Sequence, residues 1–133
     1  MTTRYLLDTN AASAILRQFE PTCARAASVP LASLAISAVT AGEMHYGLAK
    51  RPQATTLARL VCEFLRYTDI LPWNDAIAPH YGTLRAALEA TGLTIAPLDL
   101  MIAAHALAVD ATLVTADQAL AKVDVLRVED WSG

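Results

Sequence analysis

The chain has 133 residues, 55% of them hydrophobic and 17% charged, with a net charge of −3. That length suits one domain, residues 1–133, with one sizeable core. The acidic balance argues against a non-specific nucleic-acid coat, and no apolar run reaches the roughly 18 residues of a membrane-crossing helix.

The opening segment MTTRYLLDTN is no secretory leader, because its apolar run is short and Asp8 interrupts it. Cys23 and Cys62 stand alone, without metal-type spacing. They read as reduced, buried thiols of a cytoplasmic protein. Most of the ten Lys and Arg lie at or before Arg85, with only Lys122 and Arg127 after it. Local basic patches are therefore expected on the first part of the chain.

In chain order, RYLLD reads as a short buried strand ending at Asp8, and TNAASAILRQ as a helix opened by a capping residue. Pro21 interrupts, and a short helix follows over 22–28. LASLAIS predicts a second strand ending near Ser37, then a long helix with Gly47 as its weak point. Arg51-Pro52 starts another helix, in which Leu57, Leu60, Val61, Phe64 and Leu65 form an apolar stripe.

DILP over 69–72 predicts the third strand, and Asn74 or Asp75 caps the helix after it. Ile77, Tyr81, Leu84 and Leu88 recur there at helical spacing, Arg85 and Glu89 pair on its outer face, and Gly92 ends it. LDLMIAAHALAVD is apolar all round, so it predicts a buried helix. TLVT, ADQALAKV and VLRV then read as strand, short helix and strand. Strands alternating with helices imply an α/β domain: a five-stranded parallel sheet with helices on both faces.

Four carboxylates mark this pattern: Asp8, Glu43, Asp99 and Asp117. Each has a local explanation. Asp8 and Asp117 suit helix N-caps, Asp99 suits the positive end of a helix dipole, and Thr40 with Glu43 matches a capping box. Together they say more, because all four can reach the carboxyl-end edge of one sheet, where α/β folds bind ligands. Clustered carboxylates repel unless a cation neutralises them. A hard divalent ion takes such oxygens, keeps several waters and binds substrate phosphates. The remaining carboxylates can then orient water.

Other residues carry less. His105, six residues after Asp99 at about 100° per residue, falls on a different helix face and reads as a packed histidine. His45 and His80 suit surface or packing roles, as Trp73 and Tyr81 suit packing. Ser13, Ser33 and Ser37 lack a triad pattern, and no glycine-rich phosphate loop is present.

The ordered motifs LLDTN, ISAVTAGEMHYGLAK, YGTLRAALEATG, IAPLDLMIAAHAL, TLVTAD and LRVEDWSG span nearly the whole chain. In them the chain resembles the PIN-domain endoribonucleases, specifically the VapC-type toxins of bacterial toxin–antitoxin pairs. The resemblance implies a Mg²⁺- or Mn²⁺-dependent ribonuclease, a homodimer held inactive by a VapB-type antitoxin. It implies Asp8 and Asp99 as metal ligands, Glu43 and Asp117 as completing the catalytic acidic pocket, and Asn10 and Thr115 as hydrogen-bonding the carboxylates.

The expected reaction is cleavage of single-stranded or loop RNA by metal-activated water, leaving 5′-phosphate and 3′-hydroxyl ends. Two departures stand out: Ala96 where relatives often have Gly, and TADQAL where many have an Asn-rich turn. Two rival classes are a catalytically silent PIN-like binding module and a phosphatase or phospho-acceptor of similar architecture. A dehalogenase-type phosphatase needs an Asp where Asn10 stands, and a receiver needs a strand-end Lys that neither Lys50 nor Lys122 supplies.

Overall fold

The computed structural model describes residues 3–133. The first two residues of MTTRYLLDTN, the segment read as no leader, lie outside them. Five short strands form one wholly parallel sheet: β1 (Tyr5–Leu7), β2 (Leu34–Ser37), β3 (Asp69–Leu71), β4 (Thr112–Val114) and β5 (Val128–Glu129). Their order is β3-β2-β1-β4-β5. Parallel neighbours need long crossovers, and among the described residues seven helices supply them. These are α1 (Thr9–Leu16), α2 (Glu20–Ala27), α3 (Ala38–Ala49), α4 (Thr55–Tyr67), α5 (Ala78–Ala90), α6 (Pro97–Ala108) and α7 (Gln118–Ala121). Among the described residues, no helix is long and apolar enough to cross a membrane.

Strand alternation sorts the core into two faces. Leu6 pairs with Ala35 and Leu113 in register, and this row packs under Leu84 and Leu88 of α5, Leu100, Ala103 and Ala106 of α6, and Leu120 of α7. Leu7 pairs with Ile36 and Val114, and that row packs under Ala12 of α1, Ala41 and Met44 of α3, and Val61 of α4. Both faces are covered, so the paired positions of β1, β2 and β4 at Leu6, Leu7, Ala35, Ile36, Leu113 and Val114 are apolar on both sides. Trp131 closes the second face against Tyr5, with ring centroids 5.3 Å apart.

Several boundaries differ from the sequence reading. Pro21 does not interrupt. It sits in the first turn of α2, where its missing N–H costs nothing. Pro52 does not start a helix either: residues 51–54 form a turn, Ala54 N–H bonding the Arg51 carbonyl at 3.0 Å, and α4 begins at Thr55. Asn74 caps a turn by accepting from Ala76 N–H at 3.1 Å, whereas α5 starts later without a side-chain cap. Residues 31–33 form a 3₁₀ turn, and β5 lies at Val128–Glu129 rather than over VLRV. Gly47 lies inside an unbroken α3. Cys62 is exposed and Cys23 half-buried, so neither is the fully buried thiol expected.

Other expectations hold. Gly92 takes φ +79° after α5, and the Gly92 and Leu93 N–H groups close on the Glu89 and Leu88 carbonyls, each at 3.0 Å. Arg85 and Glu89 pair at 3.1 Å. Helix α6 is buried over most of its length. Trp73 and Tyr81 pack edge to face, and the Trp73 indole N–H donates to the Met101 carbonyl at 2.9 Å.

A candidate acidic active site

The strand order places the topological switch between β1 and β4: the chain leaves β1 toward β2 and later returns to β4 on the other side. Helices after β1 and β4 diverge there and open a crevice at the strands' carboxyl ends. A pocket of about 250 Å³ fills it, lined by Asp8, Asn10, Asp99, Thr115, Ala116 and Asp117.

Asp8 follows β1 directly and caps α1, its Oδ1 accepting from Ala11 N–H at 2.7 Å. Capping and pocket lining are thus one arrangement: the cap fixes one oxygen and aims the carboxylate at the crevice. Asp117 does the same for α7, accepting from Ala119 N–H at 2.8 Å. Thr115 ends the β4 turn and holds Asp117 from behind, its Oγ1 accepting the Asp117 N–H at 3.1 Å. Asp99 lies in the first turn of α6, which has no side-chain cap, so its carboxylate meets the positive helix end and the pocket.

Glu43 stands apart from the pocket lining. Ser37 caps α3 by accepting from Val39 N–H at 3.1 Å, which places Glu43 in mid-helix and removes the capping-box explanation. Its Oε1 instead accepts from the Thr9 hydroxyl at 2.5 Å. Sequence reasoning treated Thr9 only as the start of a helix. The polar run Asp-Thr-Asn straight after an apolar strand was the available signal.

Burial pushes the Asp8 carboxyl above its ordinary value, repulsion from Asp117 and Glu43 adds to the rise, and hydrogen bonds from Thr115 and Ala11 N–H oppose it. Burial also raises Asp99, reinforced by Asp8, Glu43 and Asp117. Asp8 and Asp99 are thus the two acids whose charge the neighbouring carboxylates oppose. Asn10 lines the same pocket.

Among the described residues, no three His, Cys, Asp or Glu side chains close on one point as a protein-only metal cage. Two carboxylates with open space beside them suit a cation that keeps waters and takes substrate oxygens, as Mg²⁺ does. The donor set is all oxygen, which also fits Mn²⁺.

His105 is packed, 1% exposed, with Nδ1 2.9 Å from the Ser37 hydroxyl. That serine–histidine pair is buried and, among the described residues, has no acidic third member, so it is no hydrolytic dyad. His45 and His80 are exposed. Lys50 and Lys122 sit at the ends of α3 and α7, away from strand ends, which removes the receiver-type reading.

The PIN domain family model matches residues 5–126. The tRNA(fMet)-specific endonuclease VapC of Shigella flexneri is 30% identical over 97% of this chain and 98% of its own. Ribonuclease VapC2 of Rickettsia felis is 34% identical over 74% of this chain and 75% of its own. The crystal structure of VapBC2 from Rickettsia felis bound to a promoter DNA fragment superposes with a TM-score of 0.87, at 30% identity, over 97% of this chain and 99% of that one. With the fold, the ordered motifs and these relatives in agreement, the chain belongs to the PIN-domain family, in its VapC branch.

Proposed function

We propose that this chain is the ribonuclease toxin of a VapB–VapC toxin–antitoxin pair, with Asp8, Glu43, Asp99 and Asp117 as its active site. Asp8 and Asp99 would hold a divalent cation, Mg²⁺ or Mn²⁺. The observation that carries the reading is the convergence of Asp8, Asp99 and Asp117 on one pocket at the β1/β4 switch point, with Glu43 held beside it by Thr9. When bound, the cation neutralises charge at the scissile phosphate and makes water more acidic.

The chain's own groups supply position. The Ala11 and Ala119 N–H groups pin one oxygen each of Asp8 and Asp117. Thr9 pins Oε1 of Glu43, which leaves Oε2 to orient the attacking water and take its proton. The Asn10 amide faces the pocket, where it can donate to a phosphate oxygen. Water rather than the ribose 2′-hydroxyl is the nucleophile, so the products carry 5′-phosphate and 3′-hydroxyl ends. Single-stranded or loop RNA suits an open crevice, because a splayed backbone can enter it. The tRNA(fMet) named for the Shigella flexneri relative is the first RNA to test.

The VapBC complexes among the structural neighbours support a VapB-type antitoxin as partner. A homodimer in the cytoplasm, each copy one PIN domain over 1–133, completes the proposal. The test is cleavage of end-labelled RNA with Mg²⁺ or Mn²⁺, with EDTA, and by Asp8→Ala and Asp99→Ala proteins. Cleavage that survives EDTA or both substitutions would overturn the metal-dependent mechanism.

A further inference from the structure

Beside the acidic pocket lies a second groove of about 260 Å³, and the two share Asn10, Thr115 and Ala116 as a common wall. Its far side is the corner between α1 and α2, carrying Arg17 and Phe19, and the C-terminal segment with Asp130 and Trp131. The corner is rigidly made. Gln18 adopts φ 58°, and the Phe19 N–H closes on the Ala14 carbonyl at 2.9 Å. The Trp131 floor is equally fixed: it is 2% exposed, its carbonyl accepts from the Thr22 hydroxyl at 3.0 Å, and its indole N–H donates to Glu129 at 2.9 Å.

Three groups at this groove remain available. Phe19 is a large apolar side chain left 42% exposed. Arg17 is exposed and joins none of the ion pairs formed among the described residues. Both of Asp130's hydrogen bonds, from Ser132 N–H and Oγ, fall on Oδ1, which leaves Oδ2 to accept from a ligand. A π-face, a cation and a free acceptor are what an unpaired nucleotide uses: stacking, phosphate contact and edge recognition.

We propose that this groove holds one unpaired base of the RNA, next to the scissile phosphate. Phe19 stacks on it, Arg17 meets the adjoining phosphate and Asp130 reads its edge. The inference rests on the ribonuclease reading above and adds a source of sequence preference to it. The groove adjoins the acidic pocket across Asn10, Thr115 and Ala116, which line both. A strand passing the acidic residues also needs a cation outside them, and Arg17 stands where the strand would leave. An acceptor at the base edge selects bases that present an amino group and so works against uracil.

The experiment is a series of short single-stranded RNAs, varied one nucleotide at a time around the cut and cleaved with Mg²⁺ by wild type, Phe19→Leu, Phe19→Tyr, Asp130→Asn and Arg17→Ala. Wild type should show a base preference at one fixed offset from the cut. Phe19→Leu should lower kcat/KM about tenfold, and Phe19→Tyr should restore it. Asp130→Asn should flatten the preference at that offset. Arg17→Ala should weaken all sequences alike and reduce the salt slope by about one phosphate contact.

The substituted side chains are exposed, and thermal melting checks that each variant is folded. Binding of the same RNAs to Asp99→Asn protein gives the preference without turnover. If wild type cleaves but Phe19→Leu and Asp130→Asn keep its rate and preference, the inference falls and the ribonuclease reading stands. If those variants change only antitoxin binding, the groove belongs to the protein partner and the inference falls. If wild type cleaves no RNA, the ribonuclease reading fails and this inference with it.

Discussion

Nδ1 of His105 lies 2.9 Å from Oγ of Ser37, with both residues buried. Ser37 ends β2 and caps α3, the helix that carries Glu43, while His105 belongs to α6, the helix that carries Asp99. Ser37 Oγ also accepts the Val39 N–H, so one hydroxyl serves both the helix cap and the contact with the imidazole. One buried contact thus ties the start of the helix that carries Glu43 to the helix that carries Asp99.

Removing that tie should cost stability. His105→Ala leaves a cavity and a buried hydroxyl without its partner, a loss of roughly 2 kcal/mol or more. Ser37→Ala loses the same bond and a helix cap, the cap alone being about 1 kcal/mol. Because the two changes remove one shared interaction, the double variant should lose less than the sum. Urea unfolding of the four proteins measures it, and strict additivity would show that the bond contributes nothing.

Burial lowers the His105 pKa below that of the unfolded chain. The corresponding stability is fully present above the unfolded value of about 6.5 and is lost as pH falls through it toward the folded pKa. Unfolding free energy should therefore decline on acidification in this window, and His105→Gln should flatten that slope. Equal slopes in the two proteins would contradict it.

Asp99 behaves with the opposite sign. Its pKa is raised by burial and by three neighbouring carboxylates. Its favourable contribution exists below the ordinary carboxyl range, about 3.9, and disappears as pH rises through the folded value. Cation-free Asp99→Asn protein should consequently be more stable than wild type at pH 7, with the gap closing toward about pH 4. Its RNA cleavage should fall at least about a hundredfold, the cost typical of losing a group that positions transition-state charge. Thermal melting in EDTA and cleavage with Mg²⁺ test the two halves separately.

Cation addition should reverse that order. Mg²⁺ or Mn²⁺ at about 100 times its Kd should stabilise wild type by about 2.7 kcal/mol. EDTA should undo the gain, and Asp99→Asn should remove most of it. Melting temperatures over a cation titration read this directly, and equal shifts in both proteins would place the ion elsewhere.

Gln18 offers a prediction away from the acids. It ends α1 in the left-handed region at φ 58°, which a side chain disfavours and glycine does not. Its N–H bonds the Ile15 carbonyl at 3.0 Å through the backbone, so that bond survives substitution. Gln18→Gly should raise stability by about 0.5–1 kcal/mol in urea unfolding. A loss would mean that the side chain holds the corner.

The alternation of strand and helix was legible because apolar period and length differ between buried strands and amphipathic helices. Gly92 and the Arg85–Glu89 pair were legible for the same kind of local reason. Boundaries near proline were not. Pro21 suits a first helical turn and Pro52 a turn between helices, and the residue alone does not distinguish these contexts. The exposure of Cys62 likewise depends on how α4 is rotated against the sheet, which a thiol's chemistry does not encode.

For the site, the sequence by itself determined that Asp8 and Asp117 follow strands and that Asp99 opens a helix, since those positions follow from local pattern. Only the tertiary structure decided how they divide. It brought Asp8, Asp99 and Asp117 into one pocket at the β1/β4 switch, held Glu43 one step back on Thr9, and joined their helices through Ser37 and His105. Those are contacts between residues far apart in the chain, set by strand order and helix rotation rather than by any short window of residues.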